Sequence, residues 1–442
     1  MSVTTDINLK DKLLSDFNLF EAKMNGEASS NWHQNRKSAL AKVRLQDFPT
    51  RKDEEWKYTS LKEITNQSFG LLTSSLLDQK LDLSNFMIEG LDPIVLTFIN
   101  GQWSKINSAG YGKIGSAIVG SLKKGYEKHA DLLEPILTSE QTGLPFLGDL
   151  NTAFATDGAF VHVPDNTQLD IPVLIINLTD ASEGNQMASP KNVFVVGKNS
   201  SAKIIEIFDC YENTNASFTN SNTSVFADRD ARLDYYKIQQ ENTQNNYQVN
   251  NTHVTQNQNS NVSVGTFTFG GKLVRNNLTF LHKGEHINSF LNGIYLTRNH
   301  QLVDNHTLVD HATPNCMSDE FYKGIMGGNS KAVFNGKIMV RQDAQKTNAF
   351  QTNRNVLVSE KANVYTKPQL EIFADDVKCS HGCTIGQLDD AAMFYMQARG
   401  IGKEKARKLL LQSFVGEVIE RIQMDEMKNH IGKLNEKFIE KL

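Results

Sequence analysis

The chain is poor in the residues that mark most secreted proteins and many enzymes. Of its 442 residues only four are cysteine, Cys210, Cys316, Cys379 and Cys383, too few for a disulfide framework at this length. No basic stretch followed by an apolar run opens the sequence, so the expectation is a cytoplasmic protein with reduced thiols. Long hydrophobic runs are also missing. The longest, at 93–99 and 171–178, fall far short of the ~20 residues needed to cross a bilayer as a helix. Neither sign of charge prevails, with 46 basic against 50 acidic side chains and a formal net charge of −4, so no pull toward nucleic acid or an anionic membrane is expected. Gly-x-x-x-x-Gly-Lys-Ser/Thr, Gly-x-Ser-x-Gly and His-Glu-x-x-His are all absent, which leaves no P-loop, nucleophile elbow or zinc-protease helix to build on. Gly110-Tyr-Gly112-Lys-Ile-Gly115 fits the dinucleotide fingerprint in letters only, because no strand–turn–helix pattern surrounds it.

What is present divides into three regions. Residues 1–160 read as helical and mixed α/β. Ile7, Leu9, Leu13, Leu14, Phe17 and Phe20 fall at helical spacing, and Ser30-Asn31 suits the cap of a second helix reaching about Leu45. A charge-dense segment around Trp56 and Tyr58 follows. From 161 to 378, pieces of four to eight residues rich in Val, Ile, Phe, Thr and Tyr alternate with Asn, Asp, Gly and Ser, as strands alternate with turns.

Polar turns recur about every 30 residues in this middle region, at 199–202, 228–231 and 257–261, and again at 327–330 and 359–362. That period suggests stacked coils of a β-solenoid. The Asn/Gln-rich piece 239–261 reads either as a disordered polar tract or as strands with amide ladders on the outer face. His300, His306 and His311 are expected on faces of successive coils, and Cys210 and Cys316 as buried, inert thiols. Residues 379–442 read as helical, with Asp389-Asp390 opening one helix and Arg399-Gly400 closing it. Ala406, Leu409, Leu410, Phe414, Val418 and Ile422 would form the apolar face of the next helix, and Ile431, Leu434, Phe438 and Leu442 that of a third.

At the junction of strand and helix regions stands Cys379-Ser-His381-Gly-Cys383. Thiolate and imidazole suit soft and borderline metals, but three groups in five residues do not close a tetrahedral site. Gly382 and Gly386 suggest tight turns there, and a capping turn that merely contains cysteine is the plain alternative.

The motif's neighbours carry a resemblance that covers nearly the whole chain. The segment 48–59, FPTRKDEEWKYT, with 351–355, QTNRN, the run 366–382, TKPQLEIFADDVKCSHG, and 386–389, GQLD, resembles the SufB/SufD family of iron–sulfur cluster assembly (SUF system) scaffold proteins. Segment 360–363 lacks the cysteine found in SufB, and Cys379-Ser-His381 replaces a Glu-His-Glu-type stretch, so the likeness is to SufD. The resemblance implies a right-handed parallel β-helix flanked by helical segments, acting as a non-catalytic subunit. It implies pairing with SufB and docking of the ABC-type ATPase SufC on the C-terminal helices, through Arg399, Ala406, Leu409, Leu410, Phe414 and Val418. It also implies a transient iron–sulfur cluster at the SufB interface with His381, and secondarily Cys379, as ligands, and no nucleotide of the chain's own. Cys383 departs from the family pattern, a small residue being usual there. Removing the tail before Asp389 is expected to leave the β-helix folded. Alternatives are a homodimeric structural β-helix and a polysaccharide-active β-helix enzyme.

Overall fold

The structure, a computed structural model, describes residues 8–22, 30–71, 74–138, 145–212, 215–241 and 245–442. Ile7 and part of the Asn/Gln-rich piece lie outside them. The first two helices, Leu9–Ala22 and Asn31–Leu45, form where the spacing predicts. Ser30 caps the second, its hydroxyl oxygen accepting the His33 N–H at 3.1 Å. Leu9, Leu13, Phe17, Leu40 and Val43 pack with Phe154 of a later helix, Pro145–Phe154, and over Phe218, Tyr247 and Val249 of the strand region. The N-terminal helices thus cover the outside of one sheet.

That sheet has eleven strands and faces a second of ten, and from Lys191–Val196 onward successive strands alternate between the two. Beyond the first strands every pairing is parallel, giving a parallel β-solenoid of about eight turns with one strand per sheet in each coil. Ile94–Ile99 pairs in parallel with Val173–Asp180, so the solenoid begins inside the region expected to precede it. Gly112–Ile114 pairs antiparallel with Ala117–Ser121 and feeds no helix at that point, which disposes of the dinucleotide reading of Gly110–Gly115.

The repeat heard in the sequence comes from the corners. Asn199, Asp230 and Asn259 sit at φ of 51°, 61° and 58°, the left-handed conformation that Asn and Asp tolerate best among side-chain-bearing residues. Their side chains stack from coil to coil, Asn259 Nδ2 donating to Asp230 Oδ1 at 3.1 Å.

Inside, the solenoid is apolar at its edges and polar along its middle. Asn250 donates to Asn276 at 3.2 Å and Asn276 to Asn305 at 3.0 Å. These amides are buried, not on the outer face as expected. The reason is that Tyr247 and Val249 take the outer face of the same strand, Asn246–Gln256, beneath the N-terminal helices, and the period of two sends Asn250 inward. His306 and His311 belong to a single strand, Leu302–His311, and His300 to the turn before it, so the three do not mark successive coils.

Of the C-terminal helices Asp390–Ala398, Lys403–Ile419 and Asp425–Ile439, the second and third pack on the outside of the ten-stranded sheet. Asp389 caps the first, accepting the N–H groups of Ala391 and Ala392, and Gly400 closes it at a φ of +86°. The second helix buries Leu411, Val415 and Val418 against Ile294, Phe321 and Ile325. Leu409, expected on that face, is exposed, because the residues that meet the sheet follow the 411–415–418 line.

Candidate functional site

Cys379, His381 and Cys383 lie on a regular strand, Lys378–Gly386, and not in a turn. It pairs in parallel with Asn348–Leu357, bringing Cys379 beside Ala349, His381 beside Gln351 and Cys383 beside Asn353. The β region therefore reaches Gly386, past the boundary expected at 378. Neither Gly382 nor Gly386 takes a positive φ, since extended pairing, not a turn, fixes the backbone there. Alternation puts Cys379, His381 and Cys383 on the face that continues the solenoid interior.

This strand ends the ten-stranded sheet, and Asn363–Ile372 ends the other. No further described strand pairs with either, so the last coil is uncapped. The Asn363–Ile372 edge carries Pro368, which lacks a backbone donor, whereas Lys378–Gly386 has no proline. On or next to these last strands stand the exposed side chains of Phe350, Phe373 and Ile385, Phe373 at 64% exposure.

The two thiols are half-buried, and burial raises both their pKa values, against the opposing hydrogen bonds of Ala349 to Cys379 and Thr366 to Cys383. His381 is exposed. Cys379 packs with Ile338, Val340 and Ala374, while Cys383 lies nearer the polar middle of the lumen. Among the described residues no three His, Cys, Asp or Glu side chains form a group that could hold a metal ion. One face of one strand presents two thiols and an imidazole to an open end without closing a site.

Residues that composition did not single out lie directly beneath. The QTNRN segment alternates: Gln351, Asn353 and Asn355 point inward while Arg354 reaches Glu417 of the C-terminal helices at 3.5 Å. Asn353 donates to the Tyr295 hydroxyl at 2.8 Å and Gln351 to the buried Glu320 at 2.7 Å. Alternation in an all-polar pentapeptide was the available signal. The FPTRKDEEWKYT segment lies across the outside of the eleven-stranded sheet, where Tyr58 stacks on Tyr365 with ring centres 4.3 Å apart. Cys316 is buried and Cys210 half-buried, and neither forms a disulfide.

Of the residues expected to meet a partner on the tail, Arg399 is exposed and lies over the Tyr395 ring at 4.7 Å, and Leu409 is exposed. Leu410 and Phe414 are half-buried, and the Phe414 carbonyl accepts from Lys323 at 2.6 Å. Ala406 and Val418 are fully buried within this fold.

A parallel two-sheet solenoid with an uncapped final coil bearing imidazole and thiols defines the class of protein. Comparison with known families refines it. Residues 7–175 match the SufBD protein N-terminal region, and residues 177–414 match the SUF system FeS cluster assembly SufBD core domain. The chain belongs to the SufBD family. It is 30% identical over 410 residues to an iron–sulfur cluster assembly SufBD family protein of Synechocystis sp., covering 91% of this chain and 89% of that one. It is 28% identical over 424 residues to the iron–sulfur cluster assembly protein SufD of Escherichia coli, covering 91% and 95%. To SufD of Bacillus subtilis it is 24% identical over 315 residues, covering 70% and 71%.

Proposed function

We propose that this chain is the non-catalytic, SufD-type subunit of a SUF scaffold, pairing through its uncapped end with a SufB-type solenoid. The unpaired edge of Lys378–Gly386 carries this reading. A strand added there completes the sheet with main-chain hydrogen bonds and brings foreign ligands beside Cys379, His381 and Cys383. The exposed apolar side chains around the edge supply the buried area that such an interface requires.

The cargo in this reading is a transient iron–sulfur cluster shared across the interface. Imidazole and thiolate both suit iron. The thiols are kept protonated by burial, so iron must displace their protons, while the exposed His381 ring can offer a lone pair when neutral. His381 is the leading ligand, Cys379 the second. ATP hydrolysis belongs to a SufC-type ATPase docked on the C-terminal helices, this chain holding no nucleotide of its own, and its ATP-driven closure would open the solenoid interface. Reduced thiols and an ATP-dependent partner fit the cytoplasm.

The test is co-expression with SufB- and SufC-type partners, anaerobic purification, and reconstitution with iron and sulfide followed by visible absorption. His381→Ala should keep the complex and lower the cluster yield several-fold. Full yield in both His381→Ala and Cys379→Ser would remove the ligand role. Failure to co-purify, with light scattering showing a dimer of this chain alone, would favour the homodimer that the same open edge could form.

A further inference from the structure

Below His381 the lumen holds an arrangement that cluster binding alone does not explain. Gln351, register partner of His381, is buried at 2% exposure, and its side-chain nitrogen donates to Glu320 Oε2 at 2.7 Å. Glu320, on the coil below, is buried at 1%. The fold makes room for this contact: a Cβ placed on Gly336 of the opposite sheet would lie 2.2 Å from Gln351 Nε2. An amide has two unlike ends, and fixing the nitrogen on Glu320 decides where the oxygen goes. Gln351 Oε1 is buried and has no hydrogen-bond partner. An unmet buried acceptor is destabilising, which is reason to look for its donor.

The adjacent position on the same inward face, about 4.8 Å away along the sheet, is His381. Its ring nitrogens are the ones whose tautomer a ligand role depends on, since a histidine that binds metal through one nitrogen is oriented by a hydrogen bond from the other.

We propose that Gln351 is a positioning residue for His381. Its amide, held by Glu320, accepts the N–H of the imidazole and leaves the opposite nitrogen deprotonated and turned to the open end. The inference rests on the reading of His381 as a ligand, but its observable is the tautomer of the ring, which is measured without any cluster. Burial pushes Glu320 up to about 7, so the carboxyl beneath the site is mostly protonated only below neutral pH.

The experiment is nitrogen NMR of the full chain labelled with 15N-histidine, the His381 signals being assigned by their disappearance in His381→Ala. In the unaltered protein one tautomer should dominate at pH 8, its protonated nitrogen showing a bound N–H. Gln351→Leu should convert it to the mixture of a free imidazole, and Glu320→Leu, which frees the amide to turn over, should do so partly. Gln351→Glu keeps an acceptor beside the ring, so it should retain the single tautomer. A mixed tautomer in the unaltered protein, or a single tautomer that persists in Gln351→Leu, would overturn the proposal. A fixed tautomer together with full cluster yield in His381→Ala would instead retire the ligand reading and leave the positioning contact standing.

Discussion

The guanidinium of Arg275 lies 3.9 Å from the centre of the Trp56 ring, joining the charge-dense N-terminal segment to the middle of the solenoid. The same group donates to the Glu55 carbonyl and pairs with Asp304, both at 2.7 Å. Arg275 and Asp304 are each 1% exposed. Burial opposes ionisation of Asp304, but Arg275, His306 and Thr59 outweigh it and hold its carboxyl at about 2. Arg275→Leu leaves that carboxylate buried without its cation, and we expect a loss of about 3–5 kcal/mol in urea unfolding. Adding Asp304→Asn should recover part of it, because the second change removes the stranded charge. Additive losses would show that the pair does not act as a unit.

Buried acids and buried histidines set opposite pH limits. Burial lifts Glu320 to about 7, and burial with the nearby Asp209 lifts Glu241 to about 8. A raised carboxyl stabilises fully below its unfolded value, near 4.5, and that stability is lost as pH climbs through 7 and 8. For Glu320 the loss is on the order of 3 kcal/mol, at 1.36 kcal/mol per pKa unit. His253 and His311 are held down to about 4 by burial, so their contribution is intact above the usual 6.5 and is lost as pH falls toward 4. Melting curves of Glu320→Gln and the unaltered chain should therefore diverge between pH 5 and 8 in favour of the variant. A constant offset across that range would sink the assignment.

Much of this fold is legible in the sequence, for reasons that can be named. The helix at 31–45 announces itself because its cap is a side chain, Ser30. The coil period shows because the corners adopt positive φ, and Asn or Asp fills most of them, His286 and Lys346 being the departures. What misleads is that strands here are buried on both faces. In Asn246–Gln256 the apolar Tyr247 and the polar Asn250 both lie inside the molecule, so the usual link between polarity and exposure fails. Cys379–Cys383 misleads in the other direction. Its glycines suggest a turn, but strand pairing with 348–356 is non-local and leaves no mark in five residues. The same non-locality hides Glu320, 31 residues from Gln351.

Two glycines in the lumen make room for tyrosine rings of neighbouring coils. A Cβ on Gly293 would fall 2.1 Å from the Tyr322 ring, and one on Gly324 would fall 2.2 Å from Tyr295. Both rings are buried and cannot swing to solvent. Gly293→Ala should thus cost about 1–3 kcal/mol by overpacking, and Gly293→Ala with Tyr322→Phe should recover little, because the clash is with ring carbons and not with the hydroxyl. Thermal melts of the three variants decide it. Near-complete recovery on removing the hydroxyl would show that hydrogen bonding, not ring volume, governs the site.

The C-terminal helices cannot be treated as a detachable tail. Leu411, Val415, Val418, Ile431 and Phe438 share a core with Ile294, Phe321 and Ile325 of the ten-stranded sheet. Lys323, 1% exposed in its side chain, donates to the Phe414 carbonyl at 2.6 Å and pairs with Glu417 at 2.8 Å. Truncation before Asp389 would expose that apolar sheet face, at roughly 25 cal/mol for each Å² uncovered, so the expectation that the solenoid survives it does not hold. Docking of an ATPase is better probed at Phe394 and Tyr395, which are 74% and 58% exposed. Phe394→Ser with Tyr395→Ser should leave the melting temperature within a few degrees of the unaltered chain and weaken capture of a SufC-type ATPase at least tenfold. Lys323→Met is the complementary variant: it should loosen the second helix, read as faster amide exchange over 411–418, while leaving the Phe394 surface intact. Undiminished ATPase capture by the double serine variant would move the docking surface elsewhere on the chain.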